Sequence, residues 1–290
     1  MKKYKYFIAI GLLISIVFVY FKAKTDPVQE TITYFPIDPT VSFQSASTSL
    51  GQFIPLKKRT YSYVWQTKSL LDRKAYLRQD VSLLFSNGRL IGKLGKWQTN
   101  TEQINQQKKM IGRDSALLQA LTFHYAEIHH NEAEIFSAQT MTSTAMYAIS
   151  TPFKPLLTFQ QAGNDEEAKW KNILDDKTAN VLQSSWQKGL RTFSIQLNHY
   201  NAYPLTQLYT REALPGFSKE ETERVIGNLW EGLYKNYFLG IKKADGTIVP
   251  PDGSTIPLIL IAKDRTKLLV LTETEKGEPI LLRQMIEYGH

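Results

Sequence analysis

The feature that most constrains this chain is an uncharged run from Tyr6 to Phe21, YFIAIGLLISIVFVYF. It is set between Lys2, Lys3 and Lys5 on one side and Lys22 and Lys24 on the other. As a helix it would rise roughly 24 Å, a little under the ~30 Å of a bilayer's hydrocarbon core. Tyr4, Tyr6, Tyr20 and Phe21 stand at its ends, where aromatic rings favour the interface and lysine stems can reach back to water. The run reads as one transmembrane helix at residues 6–21, an uncleaved signal-anchor. Tyr6, Phe7, Leu12, Leu13, Ile16, Val17, Phe18 and Phe21 are its anchoring residues. A cleaved leader would need small residues after the run, whereas Tyr20-Phe21-Lys22-Ala23-Lys24 offers bulky and charged ones. A lipidated leader would need a cysteine, and the chain has none.

Positive charge sets the orientation. Residues 1–5 carry three lysines and no acid, so they are expected in the cytoplasm, with the bulk of the chain extracytoplasmic. This reading changes what the net charge of +8 means. Removing the five flanking lysines from the 35 Lys and Arg leaves 30 against 27 Asp and Glu, an ordinary surface. A nucleic-acid partner is therefore not expected. Zero cysteine excludes disulfides, thiol nucleophiles and cysteine-based zinc sites. A hydrophobic share of 42% excludes disorder as the main state.

Residues 22–51 read as a tether, broken by Pro27, Pro36 and Pro39 and softened by the small polar stretch Ser45 to Ser49. Residues 52–290 read as one extracytoplasmic α+β region, with lobes at 52–150 and 151–290. Thr60 to Trp65, Asp80 to Phe85 and Arg89 to Trp97 have strand composition, and Asn87-Gly88 marks a hairpin. Residues 121–128 and 133–149 read as a second hairpin around His130-Asn131-Glu132. A 3.6-residue period through 115–129 also fits a helix, and strand is the favoured reading. Two main helices follow, at about 164–190 and 218–239. The first opens on Asn164-Asp165-Glu166-Glu167 and the second on a capping box, Ser218 with Glu221. A short strand is expected at Phe193 to Leu197. The last 50 residues read as an antiparallel meander, Ile256 to Ala262, Lys267 to Thr272 and Pro279 to Ile286, punctuated by Asp245-Gly246, Asp252-Gly253 and Lys276-Gly277.

Catalytic signatures fail on spacing. His124, Glu127, His129 and His130 read H-x-x-E-x-H-H, one residue off the helical metal spacing H-x-x-E-H. Ser185-Trp186-Gln187-Lys188 matches S-x-x-K, but no K-[ST]-G accompanies it. Asp175 and Asp176 are helix neighbours about 100° apart and do not face a common substrate. Nucleotide-loop and serine-elbow motifs are absent. No catalytic residue, metal site or cofactor is assigned.

The irregular stretch His199 to Phe217 is long for a connection, and His199, Tyr200, Tyr203, Tyr209 and Arg211 are its candidate binding residues. Basic patches at Lys57-Lys58-Arg59, Arg89/Lys93/Lys96 and Lys263/Arg265/Lys267 suit anionic lipid headgroups or wall polymers. The expectation is a non-catalytic binding, regulatory or assembly protein of a bacterial cell envelope. Its partners would be the bilayer and an envelope protein or cell-wall polymer. The alternative is an envelope hydrolase or transferase with dispersed acidic residues.

Overall fold

The chain enters its fold through β1 (Phe43–Pro55) and then builds a hairpin of unusual length, β2 (Thr60–Ser86) and β3 (Arg89–Arg113). The computed structural model describes residues 33–131, 133–152, 154–210, 213–243 and 246–286. Asn87 and Gly88 both have positive φ, 47° and 82°, as a type I′ turn requires, and they set the register of the whole hairpin. β3 follows one edge of β2. The other edge is shared, first by β1 and then, beyond a register break between Leu70 and Ala75, by β4 (Ala116–His129). β5 (Ile135–Ile149) and the short β6 (Leu157–Phe159) complete an antiparallel sheet that curls into a barrel-like shape.

Alternation gives that sheet two faces. Its inner face stacks an apolar layer around Tyr61, Tyr63, Trp65 and Leu84, a polar layer, and a second apolar layer around Val41, Leu71 and Ile128. Its outer face presents Val81, Leu83, Phe85, Leu121, Phe123 and Tyr125 to the main core.

Helix α1 (Asp165–Thr192) is capped by Asn164, which accepts from the Glu167 amide, and three acids occupy its first turn. Its start packs on Leu117, Tyr147 and Phe159 through Trp170 and Leu174, and its end reaches the last sheet through Trp186 and Leu190. Helix α2 (Lys219–Tyr234) begins on a complete capping box, Ser218 with Glu221. It loosens into a π-helical turn, Lys235–Leu239, and stops at Gly240, whose φ is 101°. The second sheet runs β12 (Pro279–Met285), β11 (Lys267–Glu273), β10 (Leu258–Ala262), β7 (Tyr200–Pro204), all antiparallel; a small hairpin pairs β8 (Ile241–Lys242) with β9 (Ile248–Val249). Trp230, Leu229 and Leu233 of α2 lie between the outer face of the first sheet and Ile259, Ile261, Leu268 and Val270 of the second. Trp230 stacks on Phe123 at 5.2 Å. The described residues thus share one compact unit.

The antiparallel sheets, both helices, the meander and the strand reading of 115–129 agree with the sequence. Three expectations are corrected. Residues 43–51, read as tether, belong to β1: Ser45 to Ser49 pair with β2, and Thr48 turns inward to bond other hydroxyls. The separate strands at 60–65 and 80–85 are one strand, because the polar segment between them shows Lys68, Arg73 and Lys74 to solvent while Thr67, Ser69 and Arg78 line the interior. Residues 193–197 form no strand. The Phe193 amide donates to the Gly189 carbonyl and that of Ile195 to Leu190, so the segment closes α1, and pairing starts at Tyr200. The run at 6–21 and its anchoring residues lie outside the described residues. Among the described residues no helix is long and apolar enough to cross a membrane.

Candidate functional site

The residues expected to bind in the 199–217 stretch are distributed by the fold. His199 and Tyr200 line a cavity of about 440 Å³ with Phe193, Gln196, Asp264 and Lys267. Tyr203 lies on β7, opposite Ile259, and packs against the core. Tyr209 is exposed and lines a separate groove with Gln139, Lys219 and Glu223. Arg211 lies outside the described residues. The described side chains among them do not meet at a single point.

The histidines separate as strand alternation requires. His129 meets Glu127 at 2.5 Å on one face and stacks on Tyr76. His130 bonds Asp38 at 2.7 Å. Burial opposes ionisation of Asp38, but hydrogen bonds from Thr40 and His130 together outweigh it and hold the carboxyl below its ordinary range. Among the described residues no three potential metal ligands cluster. Ser185 bonds Thr255, while Lys188 turns to the Gly277 carbonyl and Glu273, so the S-x-x-K pair makes no nucleophile and base.

His124 points inward and joins a polar layer that sequence reasoning missed. Its Nδ1 is 2.7 Å from Asp80 Oδ2 and its Nε2 is 2.8 Å from Thr142 Oγ1. From Thr142 the hydroxyls of Thr48, Thr122 and Ser82 continue in one line. Arg78 Nη2 stands 3.7 Å from Asp80 and donates to Ser69, its Nη1 to the Glu102 carbonyl, and its plane covers Phe43. Burial pulls the guanidinium below its ordinary value, and Asp80 opposes that pull. The order Asp80, His124, Thr142 is that of a hydrolytic triad. Yet Arg78, Asp80 and His124 have zero exposure, and the grooves described here do not reach them. Among the described residues the buried carboxylates each have a partner: Asp80 has Arg78 and His124, Asp38 has His130, and Glu273 has Arg89 and Lys188. A glycosidase would instead set two carboxyls facing one another. The layer holds the sheet together.

A further groove lies between α2 and β12. β12 is the last strand of its sheet, and a groove of about 440 Å³ runs along it, lined by Asn228, Gly232, Asn236, Leu282, Arg283 and Gln284. Glu231 and Lys235 pair across one helical turn at its margin. Two glycines of α2 show why this groove exists. A side chain at Gly227 would strike the Tyr34 ring at 2.3 Å, so packing requires that glycine. At Gly232 the nearest atom is Gln284 Oε1 at 3.9 Å, so the helix carries a glycine that no neighbour of the described residues requires. Such a gap beside an open sheet edge suits an added extended segment, with backbone groups of β12 as its partners.

Comparison of the chain with protein-family models, with curated proteins and with solved structures finds no match.

Proposed function

We propose that this chain is a single-pass, N-in membrane protein of a bacterial cell envelope. Its extracytoplasmic α+β region holds a partner and performs no catalysis. The anchor and orientation rest on the uncharged run at 6–21 and its flanking lysines. The observation that carries the binding role is Gly232, a mid-helix glycine opening a groove beside the free edge of β12. The partner we favour is an extended polypeptide segment of another envelope protein, paired along β12.

The test places a photo-crosslinking residue at Arg283 of the full chain in intact cells. Adducts to polypeptide that vanish in a Gly232→Trp background support the reading. Adducts only to wall glycan, released by a muramidase, would transfer the role to a polymer. Adducts equally strong with the groove filled would refute it. Protease added to protoplasts should degrade the chain; protection of the whole chain would overturn the topology. The hydrolase alternative has its best support in Asp80, His124 and Thr142, and it requires an activity that Thr142→Val abolishes without unfolding the protein.

A further inference from the structure

The three basic patches differ in what they touch. Arg89 bonds Glu273 and the Gly253 carbonyl, Lys93 the Tyr237 carbonyl and Lys96 the Asn105 carbonyl, while Arg265 reaches the Gly216 carbonyl. Those cations are committed to the fold. At the tip formed by β1, β2 and β3, Lys57, Lys58, Lys109 and Arg113 are exposed, and among the described residues their side chains form no hydrogen bond or ion pair. Arg59 pairs with Asp114, the tip's acid, at 3.1 Å.

The same tip exposes aliphatic surface. Ile54 and Ile111 flank Ser62 in register, and Leu56 bonds Thr60 one row further out. Their exposures are 53%, 61% and 48%. Alternation turns this row outward, away from Tyr61 and Tyr63 of the interior. The turn itself adds a third observation. The Thr60 amide donates to the Lys57 carbonyl, and the two central residues, Lys58 and Arg59, both have positive φ, 58° and 60°. That geometry favours Asn-Gly, and two long cationic side chains there work against local stability.

We propose that this tip docks on an anionic lipid surface. Branched aliphatic side chains can enter the boundary between headgroups and acyl chains while the surrounding ammonium and guanidinium groups meet phosphates. The charge complementarity is one-sided, since the tip's acid is neutralised by Arg59. No aromatic anchor or pocket lies in the row, as a protein partner would favour. The proposal uses none of the groove's residues and stands apart from the binding role given to α2 and β12.

The absence of cysteine makes the test clean. The full chain, held in zwitterionic nanodiscs, carries one cysteine with an environment-sensitive dye, at Ile111 or, as control, at Ile248. Vesicles are added of phosphatidylcholine alone or mixed equally with phosphatidylglycerol. A blue shift at position 111 only, with mixed vesicles only, and reversed by salt, is expected. The pair Lys58→Asn and Arg59→Gly keeps the turn and removes two cations, so recruitment to mixed vesicles should fall roughly ten- to thirty-fold. A dye at position 111 that reports water with both vesicles overturns the proposal. So does a shift insensitive to lipid charge, or recruitment unchanged in the double variant.

Discussion

Asp80 shows what single residues contribute. Replacing it with Ala leaves Arg78 and His124 without their carboxylate in a site of zero exposure, and should cost about 3–5 kcal/mol, read as a fall in the denaturant midpoint at unchanged slope. A loss below about 1 kcal/mol would mean the pair is not buried in solution. The tyrosines beside this layer set an alkaline limit. Burial pushes the Tyr61 phenol up to about 12 and raises Tyr63 as well. A raised phenol stabilises the protonated folded form, so its contribution is complete below about pH 10 and is lost as pH climbs toward the folded value. Melting temperature should fall above about pH 10, and less steeply in Tyr63→Phe. That variant also removes a buried hydroxyl that has no hydrogen-bond partner among the described residues and should be neutral or stabilising by up to about 1 kcal/mol. None of this layer was legible in the sequence. Arg78, Asp80 and His124 look like surface residues until the register places them opposite one another, and register is not local.

At the scale of elements, caps and turns were legible and strand lengths were not. Asn164, Ser218 with Glu221 and Asn87-Gly88 act through neighbours a few positions away, so the sequence displays them. The stretch from Gln98 to Lys109 is strand although its composition is polar, because it lies at a sheet margin and leaves most of its side chains in water. The groove was not legible, because the open side of Gly232 depends on the packing of β12 against α2. Two helix and turn substitutions separate stability from function. Gly232→Ala should raise stability by about 0.5–1 kcal/mol in thermal or chemical unfolding while narrowing the groove. A destabilised variant would mean that the gap is filled in solution. Lys58→Asn with Arg59→Gly should likewise stabilise, by about 1 kcal/mol, since it relieves two positive-φ side chains.

For the whole molecule, α2 is the common wall of two sheets, so Trp230→Ala should cost about 3–5 kcal/mol and lower one shared unfolding transition, followed by both tryptophan fluorescence and far-ultraviolet dichroism. Two resolved transitions would show that the sheets fold independently. The long hairpin has a consequence for synthesis. Residues 60–113 can zip outward from Asn87-Gly88 as soon as they are free to pair, since each pair closes a short loop. The face carrying Val81, Leu83 and Phe85 is then formed more than a hundred residues before Trp230, which covers it, has been made. During that interval the nascent chain presents a sticky apolar plate. The order of synthesis, more than the final stability, sets how long the early half of this protein is exposed to aggregation.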